Sequence, residues 1–99
     1  MKAWIDNYNT WIPETDPDKL KELFEEMLRN AGFGILNFMQ HSFQPIGWTG
    51  IWLLAESHLA LHTFPEENTT YVELSSCNKE MYEDFLVLIQ NYKSELESN

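Results

Sequence analysis

The apolar positions along this chain follow a helical period in two stretches. In the first stretch, Asp16 and Pro17 precede the periodic residues as a cap and a first helical residue, and Gly32 follows as a stop. In the second stretch, Asn78 is the candidate cap, and residues 94–99 form a polar tail that we expect to fray. The apolar stripes of the two predicted helices are Leu20, Leu23, Phe24, Met27 and Leu28, and Met81, Phe85, Leu88, Ile89 and Tyr92.

Strand-like patterns occupy most of the remaining chain. Residues 3–8, 33–43 and 48–56 are candidate strands, whereas residues 10–18, with two prolines, are predicted to form a loop. Residues 58–64 alternate, so that His58, Ala60, His62 and Phe64 share one face. Residues 69–77 form a further strand. This order predicts an α+β fold in one domain, residues 1–99: a two-layer α/β sandwich with a largely antiparallel sheet and two helices on one face.

The charge balance narrows the possible partners. The chain has 16 acidic and 6 basic residues, a formal net charge of −10. Nucleic acid is excluded, because nothing offsets repulsion by the phosphates. A cationic small molecule is favoured, although acidic charge also serves solubility alone. The 4 Trp, 4 Tyr and 6 Phe exceed what a small core needs, and we therefore expect a homodimer.

The cysteine count and the longest apolar run indicate the cellular compartment. A single cysteine forms no intramolecular disulfide, and residues 1–9 lack the apolar run of a signal peptide. The longest apolar stretch, residues 51–55, is far too short to span a membrane. These features predict a cytoplasmic protein without a membrane partner.

The chemically versatile side chains cluster in one segment. Ser57, His58, His62 and the only thiol, Cys77, follow one another closely. Cysteine and histidine together can bind zinc, but the spacing of His58, His62 and Cys77 matches no standard finger. Taken singly, a buried cysteine is usually inert and a strand histidine usually structural. The residues alone leave these alternatives open.

Longer motifs change the balance between these alternatives. The string Phe43-Gln-Pro-Ile-Gly-Trp-Thr-Gly, then Glu56-Ser-His-Leu-Ala-Leu-His-Thr-Phe-Pro-Glu66, then Cys77, resembles the core of the bacterial and archaeal S-adenosylmethionine decarboxylase proenzymes. The resemblance covers nearly half the chain, from about residue 32 to residue 78. It implies a self-processing enzyme that is cleaved between Glu56 and Ser57 into residues 1–56 and 57–99.

The resemblance also implies a role for each matching residue. Ser57 attacks the Glu56 carbonyl and becomes an N-terminal pyruvoyl group, the cofactor, which forms a Schiff base with the substrate amine. His62 assists processing, and Thr49 stands where the family has a helping serine. Cys77 is the proton donor after loss of CO₂. The residues that match substrate-binding positions are Phe43, Phe64 and Glu66, and no metal is implied.

The implied product is the aminopropyl donor for spermidine synthesis. Two other functions stay open at this point: the same pyruvoyl chemistry on arginine or ornithine, and an unprocessed, non-catalytic homologue that serves as a binding or dimerisation module. The chain departs from the family pattern at Thr49, at Asn78 in place of a glycine, and at Trp52 in place of a smaller aliphatic residue.

Overall fold

The computed structural model describes residues 3–98. Within this range the chain forms β1 (Asp6–Ile12), α1 (Pro17–Asn30), β2 (Ile35–Ser42), β3 (Trp48–Leu54), β4 (Ser57–Phe64), a 3₁₀ turn at Pro65–Glu67, β5 (Thr69–Ser76) and α2 (Lys79–Glu97). The strands form one sheet in the order β1-β5-β4-β3-β2, and every pairing in it is antiparallel. The predicted two-layer α+β sandwich is confirmed.

The two helices cover the same face of the sheet. Phe24 of α1 and Phe85 of α2 lie with their ring centroids 6.3 Å apart, and both belong to one buried cluster with Leu59, Leu61 and Leu74 of the central strands. We call this the helix face of the sheet. Burial of these apolar side chains is what holds the two layers together.

The opposite face of the sheet, here called the open face, has no helix against it within residues 3–98. As predicted, His58, Ala60, His62 and Phe64 of β4 lie on this face, while their neighbours in sequence are buried. Several large apolar side chains remain exposed on it or at its rim: Ile5, Trp11, Leu36, Met39, Phe43, Leu53 and Phe64. Exposed apolar side chains that are grouped on one face are typical of an interaction surface.

Both predicted helix starts are confirmed. Asp16 accepts a hydrogen bond from the backbone N–H of Lys19 at 2.9 Å, and Pro17 is the first helical residue. Asn78 accepts from the backbone N–H of Met81 at 3.0 Å. These caps satisfy N–H groups that have no partner inside the helix.

Several predicted boundaries are wrong. The first strand is not residues 3–8 but Asp6–Ile12, so residues 10–12 belong to a strand and not to the predicted loop. Pairing with β5 along the whole of β1 and burial of Ile12 outweigh the turn signals around Pro13. The polar tail does not fray at residue 94, because α2 continues to Glu97; residue 99 lies outside the described residues.

The boundary between β3 and β4 matters for the site. The predicted strand 48–56 ends at Leu54, because Ala55 and Glu56 form a two-residue hairpin loop between the paired residues Leu54 and Ser57. Glu56 has φ 60°, in the left-handed region that a non-glycine residue rarely occupies. The predicted strand 33–43 is similarly shortened to Ile35–Ser42.

Candidate active site

The Glu56–Ser57 peptide bond lies where the hairpin loop joins β4, at one end of the sheet. The Cys77 thiol donates a hydrogen bond to the Glu56 carbonyl oxygen, with Sγ and O 2.8 Å apart. The same sulfur lies 3.5 Å from Oε2 of the Glu56 carboxylate. A thiol donor on this carbonyl polarises it toward nucleophilic attack.

Ser57 is nearly buried, with 8% of its surface exposed. Its hydroxyl donates to Oγ of Ser76 at 3.0 Å, because the two residues are direct partners in β4 and β5. Ser76 in turn accepts from the backbone N–H of Asn78 at 3.0 Å. Ser76 was not identified from the sequence, and only the strand register could reveal it, since Ser75 beside it is chemically the same.

The state of the Cys77 thiol follows from its surroundings. Partial desolvation and the neighbouring Glu56 carboxylate both raise the pKa of Cys77 above its ordinary value. The thiol therefore stays protonated at neutral pH, as a hydrogen-bond donor and a proton donor must.

The first cleft surrounds this peptide bond. It has a volume of about 390 Å³ and is lined by Ile5, Leu36, Leu53, Leu54, Glu56, Ser57, His58, Ser75, Ser76 and Cys77. Glu56 and Cys77 are exposed at its surface. It contains the predicted cleavage site and proton donor, together with an apolar wall from Ile5, Leu36 and Leu53.

The second cleft lies at the other end of the same strands. It too has a volume of about 390 Å³, and its lining includes Phe43, Gly47, Thr49, His62, Phe64 and Glu66. Oγ1 of Thr49 and Nδ1 of His62 are 2.9 Å apart and share a hydrogen bond. The predicted processing pair and all three predicted substrate-binding residues thus lie together.

The structure separates these two groups within one chain. Ser57 and His62 are five positions apart on the extended strand β4, a distance of roughly 17 Å between Cα atoms. Ser57 is buried toward the helix face, whereas His62 lies on the open face. A single protomer therefore brings Glu56, Ser57 and Cys77 together, and separately Thr49, His62, Phe43, Phe64 and Glu66, but does not bring one group to the other.

The zinc alternative finds no support. Across the described part of the chain, no group of three His, Cys, Asp or Glu side chains could hold a metal ion. His58 and His62 share a face of β4 but lie in different clefts. No helix within residues 3–98 is both long and apolar enough to cross a membrane.

The fold and the two clefts define a class: a small α+β sandwich with polar and ionisable side chains grouped in one cleft at each end of its central strands. The family model described as S-adenosylmethionine decarboxylase matches residues 4–97. The chain belongs to the S-adenosylmethionine decarboxylase family.

Individual relatives agree with this assignment. The S-adenosylmethionine decarboxylase proenzyme of Parasynechococcus marenigrum (strain WH8102) is 47% identical over 49 residues, 50% of this chain and 38% of that protein. The proenzyme of Aquifex aeolicus (strain VF5) is 37% identical over 60 residues, 61% of this chain and 44% of that protein. The chain spans less than half the length of the curated relatives it matches.

A solved structure shares the fold. The crystal structure of the adenosylmethionine decarboxylase from Aquifex aeolicus VF5 matches with a TM-score of 0.71 and 26% sequence identity, covering 90% of this chain and 79% of that one. The similarity in three dimensions therefore extends well beyond the segment of high sequence identity.

Proposed function

We propose that this chain is a self-processing, pyruvoyl-dependent decarboxylase that acts on S-adenosylmethionine and forms the aminopropyl donor for spermidine synthesis. The observation that carries the proposal is the thiol of Cys77 donating to the Glu56 carbonyl at 2.8 Å, directly before Ser57. The relatives that are named proenzymes support it.

The surroundings of the Glu56–Ser57 bond favour its rearrangement. The left-handed backbone of Glu56 costs on the order of 1–3 kcal/mol, strain that is released if the peptide bond is broken. Attack by Ser57 Oγ on the Glu56 carbonyl carbon forms a carbon–oxygen bond and breaks the carbon–nitrogen bond. The hydroxyl proton moves to the freed amine, so an ester replaces the amide. The Cys77 thiol is in position to stabilise the oxyanion formed in between.

The second step of processing cleaves the chain. A base removes the α-proton of residue 57, the bond from its Cβ to the ester oxygen breaks, and the Glu56 carboxylate leaves. The remaining dehydroalanine takes up water and releases ammonia, which leaves a ketone at position 57. We assign the base to His62, with Thr49 as its hydrogen-bond partner at 2.9 Å. Residues 1–56 and 57–99 are the proposed products.

The first cleft suits the pyruvoyl group that would then begin at position 57. Its polar lining of Ser76 and Cys77 offers hydroxyl and thiol groups, and its apolar wall of Leu36 and Leu53 offers a surface for apolar parts of a substrate. When present, the group supplies an electrophilic carbonyl that withdraws electrons while CO₂ is lost. Cys77, whose pKa is raised by desolvation and by Glu56 in the uncleaved chain, holds the proton for the former α-carbon.

The second cleft suits the nucleoside and sulfonium parts of the substrate. Phe43 and Phe64 are partly exposed aromatic side chains with Glu66 beside them. Aromatic faces attract a cation by roughly 0.5–2 kcal/mol, and the rings can also stack on adenine. The Glu66 carboxylate can accept hydrogen bonds from ribose hydroxyls.

A twofold homodimer would join the two clefts, and we include it in the proposal. Each cleft is lined in part by side chains of the open face, His58 in the first cleft and His62 in the second. The midpoint between Ser57 and His62 on β4 falls near Ala60, a small residue on that face. A twofold axis there would set the first cleft of one protomer against the second cleft of its partner. It would also cover the exposed apolar side chains, including Met39 and Leu53.

An intact mass spectrum of the denatured chain, beside the Ser57→Ala variant, tests the processing step. The expected native spectrum contains two fragments separated between residues 56 and 57, the second of which carries a ketone that reacts with a hydrazine. Ser57→Ala should remain one uncut chain. An uncut native chain would overturn the proposal and favour a binding or dimerisation module. For the cleaved protein, CO₂ release from S-adenosylmethionine, and not from arginine or ornithine, is the expected substrate result.

A further inference from the structure

A row of directly paired residues crosses the open face through His62. The strand register aligns Thr49 of β3 with His62 of β4, His62 with Tyr71 of β5, and Tyr71 with Trp11 of β1. Each neighbour in this row is in contact with the next, either through a hydrogen bond or through its ring. His62 therefore has a partner on each side, and only the Thr49 side was anticipated by the motifs.

With the Thr49 contact alone, the imidazole ring of His62 could still rotate about its terminal side-chain torsion. A single hydrogen bond to Nδ1 fixes one ring atom, and the terminal torsion of histidine is broad. The Tyr71 ring restricts this rotation, because it stacks on the imidazole with centroids 6.3 Å apart and an interplanar angle of 22°. The two contacts together define both the position of Nδ1 and the plane of the ring.

Tyr71 is itself held in place on two sides. The Trp11 ring lies 5.2 Å from the Tyr71 ring, centroid to centroid, at an interplanar angle of 55°. The Tyr71 hydroxyl donates to Oε2 of Glu73 at 3.1 Å. A side chain that is fixed at its ring and at its tip can restrain the neighbour on which it stacks.

We propose that Tyr71, held by Trp11, is a positioning residue that sets the ring plane of His62 for self-processing. This proposal rests on the proposed function for the step that His62 performs. Tyr71 is not among the residues that line either cleft, so it acts through His62 and not on the substrate. The aromatic ring does the positioning, and the hydroxyl bond to Glu73 is secondary.

Three variants test the proposal by the rate of chain cleavage after cell-free synthesis. Tyr71→Ala removes the ring and should slow cleavage by about 10- to 100-fold, the range for a misplaced reacting group. Tyr71→Phe keeps the ring and should cleave close to the native rate. Tyr92→Ala is the matched control, since it removes a tyrosine that packs on the core from α2 and does not contact His62.

The comparison separates positioning from stability. Native-like cleavage in Tyr71→Ala would overturn the proposal, and so would equal slowing in Tyr71→Phe, because the ring is then not what matters. Equal slowing in Tyr71→Ala and Tyr92→Ala at matched loss of thermal stability would also overturn it. Slow cleavage in Tyr71→Ala alone, with rescue by phenylalanine and with the native oligomeric state retained in gel filtration, supports it.

A second readout does not depend on processing. In the Ser57→Ala chain, which cannot form the ester, the carbon-bound imidazole protons of His62 are observed by NMR. Loss of the Tyr71 ring current shifts these resonances in any case, so the diagnostic quantity is their line width: adding Tyr71→Ala should broaden them, while adding Tyr71→Phe should leave them nearly unchanged. Line widths that do not respond to loss of the ring would overturn the positioning role, even if the native chain cleaves. If the native chain does not cleave, the proposed function fails, and these spectra still decide whether Tyr71 orients His62.

Discussion

Oγ1 of Thr49 lies 2.9 Å from Nδ1 of His62, across two strands that pair these residues directly. The threonine hydroxyl therefore forms the hydrogen bond to the imidazole that the proposed processing pair requires. The additional methyl group does not prevent the hydrogen bond. This departure from the family pattern therefore keeps a hydrogen-bond partner for the imidazole.

Replacing Thr49 should change the cleavage rate in a graded way. Thr49→Val keeps the shape but removes the hydroxyl, and should slow cleavage by about 5- to 10-fold, the value of one ordinary hydrogen bond. Thr49→Ser keeps the hydroxyl and should cleave at least as fast as the native chain. A time course of cell-free synthesis on denaturing gels measures both. Equal rates for serine and valine would mean that the hydroxyl plays no part.

The titration of Cys77 should reflect its contact with Glu56. Desolvation and the Glu56 carboxylate raise the pKa of Cys77, so in the uncut Ser57→Ala chain the thiolate should appear only above the pH range of an ordinary thiol. Glu56→Gln removes the carboxylate and should lower the midpoint. Ultraviolet absorbance of the thiolate follows the titration, and Cys77→Ser provides the blank.

The same shift affects stability at alkaline pH. The folded chain binds the thiol proton more tightly than the unfolded chain, because its pKa is the higher of the two. This contribution is fully present below the unfolded pKa and is lost as the pH rises through the folded pKa. An alkaline fall in thermal stability that is smaller in Cys77→Ser is the expected result. In the titration of the thiol, a midpoint that does not change on adding Glu56→Gln to the Ser57→Ala chain would show that the carboxylate does not act on the thiol.

The sequence predicted the elements that depend on local pattern. Both helix caps, the alternation of β4 and the α+β layers follow from residue spacing and from short-range hydrogen bonds at Asp16 and Asn78. The ends of β1 and β3 were wrong because they depend on pairing between distant segments. Local turn signals, such as Pro13, do not report whether Ile12 will be buried in the core.

The geometry of the candidate site could be predicted only in part for the same reason. The motifs point to Ser57, His62 and Cys77, but a linear string does not show that the fold places Ser57 and His62 in two separate clefts. The contact of Tyr71 with His62 and that of Ser76 with Ser57 arise from the register between β4 and β5. Nothing in the spacing along the chain fixes that register before the fold is known.

Trp52, noted as larger than the family's usual residue, should make α1 unusually dependent on one carboxylate. Its indole N–H donates to Oε2 of Glu25 at 2.9 Å, while the side chain is fully buried. Glu25→Ala leaves this donor unpaired and should reduce the free energy of unfolding by about 1–3 kcal/mol. Urea unfolding measures the loss. The exposed neighbour Glu26 is the control, and an equal loss in Glu26→Ala would attribute the effect to the helix and not to the indole.

Mixing two inactive variants should restore cleavage if the clefts meet across a dimer. A tagged His62→Ala chain keeps Ser57 but lacks its base, and an untagged Ser57→Ala chain keeps the base but cannot be cleaved. In a mixed dimer, the first cleft of the tagged chain, which contains residue 57, would face His62 of the partner. Equal co-expression should therefore cleave about half of the tagged chains, the fraction found in mixed twofold dimers.

The control for this experiment is a partner that carries both substitutions, Ser57→Ala and His62→Ala. It can dimerise equally well but offers no base, so the tagged chain should stay at the low cleavage level of His62→Ala alone. Within a protomer, roughly 17 Å separates Ser57 from His62 along β4. Cleavage that used the base of the same chain would therefore require a different conformation of this strand. A tagged chain that remains uncut beside Ser57→Ala, while the native chain is cleaved, would show that each protomer completes its own site.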